Sequence, residues 1–335
     1  MSAPTTASTV DAGAAAPTRR RGEAVAELFS QHGAVAVLVL LLVVGSLAFD
    51  TFGTVDNLSN VAVQGSFLAI VALGVTFVIL TGGIDLSVGS VFALGGVLAA
   101  YGSGGGWLTA ILLPVAVGAL IGLVQGGLVA YAGMAPFIVT LAGLLGARGL
   151  VFAITDEGNT TPKVKSEAFV SLGQGHVWEA TWPVVIMLAL FAVGWVVRQR
   201  SRAGQVVVAT GGGEDASRLM GLPVARVKLG VYVASGMLAA FAGALNAARS
   251  SSGVTTVGVG MELEAISAVV IGGTLLSGGR GNVTGTLAGV YLLGVIQNLI
   301  NQVGSLTSSI QSVVSGGFLL VVVILQTLLS PSRKT

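Results

Sequence analysis

The chain has 335 residues, of which 53% are hydrophobic and 9% charged, with a mean hydropathy of +0.91. A globular domain carries about 25% charged residues, so a water-soluble enzyme or binding module is excluded and an all-α polytopic membrane protein remains. Net charge is +2 and cysteine is absent, which removes any disulfide framework or thiolate metal site and implies no nucleic-acid partner.

Residues 1–32 read as a disordered cytoplasmic tail, small and polar, with Arg19, Arg20 and Arg21 placed too far in for a signal peptide. A first span is predicted at about 33–50. Others follow at about 59–80, 86–101, 107–131, 135–154, 181–198, 229–248, 264–277, 283–303 and 309–329, about ten crossings in all. Residues 33–330 then form one membrane domain, closed by a cytoplasmic tail at 331–335. Two segments are short: 86–101, after Gly82–Gly83, and 264–277, before Gly278–Gly279. Short spans interrupted by glycine point to helices broken at a transport path.

The stretch ILTGGIDLSVGSVFALGG, residues 79–96, holds a single carboxylate, Asp85, in otherwise apolar or small surroundings. Gly82 and Gly83 end one helix, and Asp85 or Ser87 caps the next by accepting from orphaned amides. Asp85 is either a capping residue in a re-entrant hairpin or part of a substrate path, since ionisable groups within a membrane are functional candidates. A weak internal repeat relates this stretch to VIGGTLLSGGRGNVTGTLAG at 270–289, which suggests two parallel pseudo-repeats. Gly118, Gly122 and Gly126, then Gly285 and Gly289, recur every fourth residue and predict close helix contacts.

Orientation follows from the loop charges. With both termini cytoplasmic, the inner side holds Arg19–Arg21, Arg198, Arg200, Arg202, Arg218, Arg226, Lys228, Arg280, Arg333 and Lys334, twelve of the 16 basic residues. Asp50, Asp56, Asp156, Glu157, Glu167, Glu179, Glu262 and Glu264 then lie outside. The outer loop 155–180 is acidic and serves as a connector or a contact for an external partner. In the inner loop 198–228, GGGEDASRLMGLPV reads as a short helix. Glu214 and Asp215 occupy its first turn, where the dipole favours acids, and Gly221 and Pro223 mark its exit. Ala216, Leu219 and Met220 share a face, which either enters a groove on another protein or packs back on the chain's own helix ends.

No G-x-x-x-x-G-K-[ST] phosphate loop is present. His32 and His176 lie outside apolar runs and away from metal-ligand spacing, so they read as surface residues; neither a metal nor a cofactor is expected. Asp85 and Arg148 are the charges placed clearly within the membrane region. Proton-coupled carriers show more intramembrane acids than this, so the driving energy comes from a partner.

VTFVILTGGIDLSVGSVFALGG, PFIVTLAGLLGARGL and MELEAISAVVIGGTLLSGGRGNVTGTLAG together resemble the permease subunits of bacterial ABC sugar importers, the ribose/xylose/arabinose group. The likeness covers about 35–330. GVGMELEAISAVVIGGTLLSGGRG and IQNLINQVGSLTSS look most like the galactofuranose permease. The resemblance implies a non-catalytic subunit that pairs with a second permease, identical or sister, is driven by cytoplasmic ATPase subunits and is supplied by an extracytoplasmic solute-binding protein. It makes Glu214, Asp215, Ala216, Leu219, Met220 and Gly221 the helix seated on the ATPase. Pathway candidates are Asp85 and the polar residues within spans: Gln64, Thr76, Gln125, Asn246, Gln297, Asn298 and Asn301. Each of these polar residues serves either the path or a helix-to-helix hydrogen bond. Arg148 either faces the path or neutralises helix carbonyls. The competing function is a self-sufficient ion-coupled carrier or channel for a polar solute.

Overall fold

The computed structural model describes residues 21–302 and, beyond them, the helical positions 310, 313, 316, 317 and 320; of residues 21–32 it describes the backbone alone. The predicted span at 309–329 therefore lies outside the described residues except at those positions, as do the C-terminal tail and residues 1–20. Helix α1 runs Arg21–Ala48, so the backbone of 21–32 continues the first apolar helix instead of ending a tail. RGEAVAEL is rich in good helix formers.

The bundle is centred on α2 (Val55–Leu80), whose N-cap Thr54 accepts from the Asn57 amide. Around it stand α3 (Val88–Gly102), α4 (Trp107–Ala130), α5 (Pro136–Ile154), α7 (Trp182–Arg200), α10 (Val224–Ser250), α11 (Met261–Ile271) and α12 (Val283–Gln302). Among the described residues, α2, α3 with its 3₁₀ extension, α4, α5, α7, α10 and α12 are long and apolar enough to cross a membrane, and α1 adds the shorter apolar run Gly33–Ala48. Their positions match the predicted spans closely, with one correction. The segment expected at 264–277 is an 11-residue helix that starts at Met261 and stops at Ile271, because the glycine pair that ends it is Gly272–Gly273, not Gly278–Gly279.

Glycine permits close packing where predicted. A Cβ at Gly118 would strike the Gly236 carbonyl, one at Gly122 the Tyr232 carbonyl, and one at Gly126 the backbone of Leu229, so α4 lies directly on α10. Gly285 and Gly289 bring α12 onto the Gly272 and Ala268 carbonyls of α11 in the same way. By contrast α4, α5 and α7 turn apolar flanks outward, including Leu120, Val124, Ile138, Leu145, Leu188 and Val193.

Two regions expected as loops have structure. The segment 155–180 contains α6 (Glu167–Gln174), capped by Ser166, and a hairpin of β1 (His176–Val177) with β2 (Ala180–Thr181). His176 is exposed there, as predicted. The 198–228 region contains α8 (Arg202–Gly212), capped by the Ser201 hydroxyl, and then α9 (Glu214–Leu219).

Candidate functional site

The two glycine breaks end their helices with the same bonds. At the end of α2, Gly82 has φ +79, its amide donates to the Ile79 carbonyl at 2.8 Å, and the Gly83 amide donates to Val78 at 3.1 Å. At the end of α11, Gly273 has φ +89, its amide donates to Val270 at 2.9 Å, and the Thr274 amide donates to Val269 at 3.2 Å. Both are Schellman caps, which need a residue in the left-handed region and so favour glycine. The following helices also start alike. Asp85 Oδ1 accepts from the Ser87 amide and hydroxyl at 2.9 and 2.7 Å. Asn282 Oδ1 accepts from the Thr284 amide and hydroxyl at 3.1 and 2.9 Å. Ser87 itself makes no side-chain cap bond, so Asp85 is the residue that takes up the orphaned amide.

Asp85 is 1% exposed. Its second oxygen accepts from Ser235 Oγ at 2.7 Å. Ser235 is the twelfth residue of α10, about 16 Å along it at 1.5 Å per residue. Tyr232, one turn earlier, donates from Oη to the Ile84 carbonyl at 3.2 Å. The Gln125 amide stands 3.2 Å from Ser87 Oγ. The Ser87 hydroxyl has one proton, which Asp85 takes, so Gln125 contributes its otherwise unpartnered Nε2 as donor. Ser235, Ser87 and its amide thus compensate the buried carboxylate without an adjacent cation among the described residues.

The breaks also meet each other and the 198–228 region. The Gly279 amide donates to the Leu80 carbonyl at 3.0 Å, satisfying the last turn of α2. Gly211, near the end of α8, packs so closely that a Cβ there would strike the Leu80 carbonyl and the Gly279 amide. Three residues later α9 begins. Its Ala216, Leu219 and Met220 are all exposed, the last two at 90% and 67%, whereas Ser217 is buried. The apolar edge therefore does not fold back on the chain's own helices. Glu214 anchors α9 to α10 through Lys228 and pairs within α9 with Arg218 at 2.7 Å. Burial pushes the Glu214 carboxyl up, but the hydrogen bond and charge of Lys228, joined by Arg218, outweigh this and hold it below its ordinary value. Asp215 is exposed, and Gly221 turns the chain with φ +75. A cavity of about 320 Å³ lies between α9 and the first break, bordered by Thr81, Gly82, Thr210, Glu214, Lys228 and Ser277.

The irregular segment 251–260 was not foreseen as part of the break. A Cβ at Gly253 would meet Val97 and Gly96, and one at Gly258 would meet the Gly89 carbonyl and Phe92, so the segment runs down α3 toward its first turn. Glu262 follows it there and lies against Gly89; it and Glu264 stand part-buried in the first turn of α11 and not in a loop. Arg148 donates from Nη1 to the Thr255 and Val257 carbonyls, both at 3.0 Å. It neutralises carbonyls, as one alternative held, but those of irregular backbone and not of a helix.

Several polar candidates join helices. Thr76 pairs with Thr286 at 2.9 Å, Asn298 with Asn57 at 2.9 Å, and Gln297 donates to Glu264 at 3.4 Å. Gln64 is exposed on α2 and Asn246 is half-buried on α10.

The family model described as the permease component of branched-chain amino acid transport systems matches residues 57–323. The chain belongs to this permease family. It is 40% identical over 309 residues to the ribose import permease of Escherichia coli K12, covering 91% of this chain and 96% of that protein. Identity to the ribose import permease of Bacillus subtilis 168 is 39%, covering 86% and 90%. Identity to the fructose import permease of Bifidobacterium longum NCC 2705 is 34%, covering 88% and 89%. No solved structure matches the chain. The permease is thus a multi-pass membrane protein of the ABC importers. Sequence reasoning missed Ser235, Tyr232, Lys228 and Gly211; the one local signal was the Ser201 cap and the glycines at 211–213 that bound α8.

Proposed function

We propose that the permease is the non-catalytic membrane subunit of an ATP-driven importer carrying a monosaccharide of ribose, galactofuranose or related type across the cytoplasmic membrane. The sugar is supported by the 40% identity to a ribose import permease, and galactofuranose by the two segments quoted above. About ten spans form two parallel repeats with both termini cytoplasmic. A cytoplasmic ATPase subunit grips α9, a solute-binding protein delivers the sugar outside, and a second permease, identical or sister, completes the path.

One observation carries this reading: an exposed Leu219–Met220 edge on a helix that adjoins Gly211, where the breaks after α2 and α11 converge. Displacing α9 moves Gly211 against Leu80 and Gly279 together, so a push from the ATPase reaches both breaks at once. The cavity beside Glu214 leaves room for that displacement. The Asp85–Ser235 bond holds the first break to α10, making Asp85 a joint in the moving structure. Nucleotide shifts the population between outward and inward states only through differential binding to them.

The test is reconstitution. Permease alone in vesicles should accumulate no sugar under any ion gradient, and should do so once ATPase, binding protein and ATP are supplied. Gradient-driven uptake by the permease alone would establish the self-sufficient carrier instead. Changing Leu219 and Met220 to Asp should abolish ATPase copurification without lowering thermal stability, since both side chains are solvent-exposed.

A further inference from the structure

A larger cavity, of about 650 Å³, lies where the turn between α4 and α5 meets the junction of α9 with α10. Tyr131, Gly133, Arg218, Leu222, Pro223 and Arg226 border it, and no acid stands in its wall. Arg218 gives one nitrogen to Glu214 and remains exposed. Arg226 is exposed and, among the described residues, has neither a hydrogen bond nor an ion pair. The Tyr131 hydroxyl is unpartnered among the described residues as well. Two guanidiniums and a phenol around one opening favour an anion with several oxygens, since the arginine fork matches phosphate.

The apolar surroundings say which phosphate. Leu120, Val124 and Leu128 make an outward stripe along α4 that stops one turn before Tyr131. Phe137 and Ile138 are exposed in the first turn of α5, on the far side of the same chain turn. An acyl chain laid on this stripe carries its head group to the two arginines, and tyrosine is enriched at that level of a membrane. A free anion, or an acidic segment of the ATPase, would use the arginines and leave the stripe without a purpose. Basic pockets between membrane helices on the cytoplasmic side take anionic head groups for the same reason.

We propose that this cavity binds the phosphate head of an anionic phospholipid of the inner leaflet, with its oxygens on Arg226 and Arg218 and its acyl chains on α4. An occupied cavity bridges the α4–α5 turn to the α9–α10 junction. It steadies the helix on which the ATPase bears, so anionic lipid tightens the link between ATP hydrolysis and uptake. This inference rests on the importer reading for the cytoplasmic placement of α9, and adds a lipid site that regulates it.

Two measurements on the full transporter test it. Titration with phosphatidylglycerol, read by native mass spectrometry, should show preference over phosphatidylcholine. Arg226→Gln should weaken that binding about fivefold, as expected for one basic residue at a membrane surface. Arg200→Gln, which removes an exposed charge at the same end of the bundle but outside the cavity wall, should not. Sugar imported per ATP is then compared in vesicles of phosphatidylcholine alone, with phosphatidylglycerol, or with inorganic phosphate. Phosphatidylglycerol should raise the ratio for the wild type and not for Arg226→Gln. An equal loss of binding in Arg200→Gln would reduce the site to diffuse surface attraction and overturn the inference. So would inorganic phosphate reproducing the effect, which would make the ligand a free anion. Lost ATPase copurification in Arg226→Gln with lipid binding intact would assign the cavity to the ATPase and overturn it too. Absence of wild-type uptake in every vesicle, with lipid binding still dependent on Arg226, would overturn the importer reading and leave the lipid site standing.

Discussion

Ser235 Oγ donates to Asp85 Oδ2 across 2.7 Å, joining residues 150 positions apart. This bond ties the first break to α10, and with the turn at Ser87 it accounts for a buried carboxylate that has no cation beside it among the described residues. Asp85→Asn keeps the acceptor for the Ser87 turn and presents an amide that donates to Ser235, as Asn282 manages its own turn with an amide. The substitution should cost only about 1 kcal/mol. Asp85→Ala strands several buried donors and should cost about 3 kcal/mol or more. Thermal unfolding in detergent separates the two; equal losses would mean that the charge itself, not the hydrogen-bond pattern, sustains the joint.

Gly211 and Gly212 are neighbours with opposite surroundings. A Cβ at Gly211 collides with the backbone of Leu80 and Gly279, whereas one at Gly212 meets nothing within 4 Å. Gly211→Ala should destabilise the protein by about 1–3 kcal/mol through overpacking and weaken the link between ATP hydrolysis and uptake. Gly212→Ala should leave both unchanged. The ratio of ATP hydrolysed to sugar imported, measured for each variant, checks this.

The Glu214 carboxyl lies below its ordinary value of 4.5 in the folded protein. A depressed folded value means that its contribution is present in full above 4.5 and is lost as pH falls through the lowered value. Anchoring of α9 on α10 should therefore hold from about pH 7 down to 4.5 and loosen below that. Pulsed hydrogen exchange over residues 214–222 should show this loosening in the wild type. Glu214→Gln should show no such pH step; persistence of the step would assign it to another group.

Arg148 satisfies two carbonyls of segment 251–260. Arg148→Leu should leave the helices intact and release that segment, because each carbonyl loses a charge-assisted bond. Hydrogen exchange at residues 253–259 should rise about tenfold or more, as expected when about 1.5 kcal/mol of local stability is removed. Unchanged protection would mean that the glycine contacts with α3 suffice.

Much of the helical layout was legible in residue order. Apolar runs located α2, α4, α5, α7, α10 and α12 to within a few residues, since each is defined by its own hydropathy. Glycine spacing foretold close helix contacts along α4 and α12, though not that α10 and α11 are the partners, and the acids, Gly221 and Pro223 outlined α9. The end of α11 was misjudged because Gly272–Gly273 and Gly278–Gly279 look alike as text, and only the bonds to Val270 and Val269 distinguish a helix cap from a later turn.

Composition, charge placement and local turn chemistry by themselves determined that this is a helical membrane protein with an interrupted helix at Gly82 and an apolar-edged helix after Gly213. The tertiary structure alone decided that Asp85 is enclosed by Ser235 and Ser87, that Glu262 sits beside α3, and that Gly211 joins both breaks. Periodicity and capping act over a few residues, and so they are written in neighbouring letters. The partners of Asp85, Arg148 and Gly211 come from distant segments brought together by packing, which no local pattern encodes.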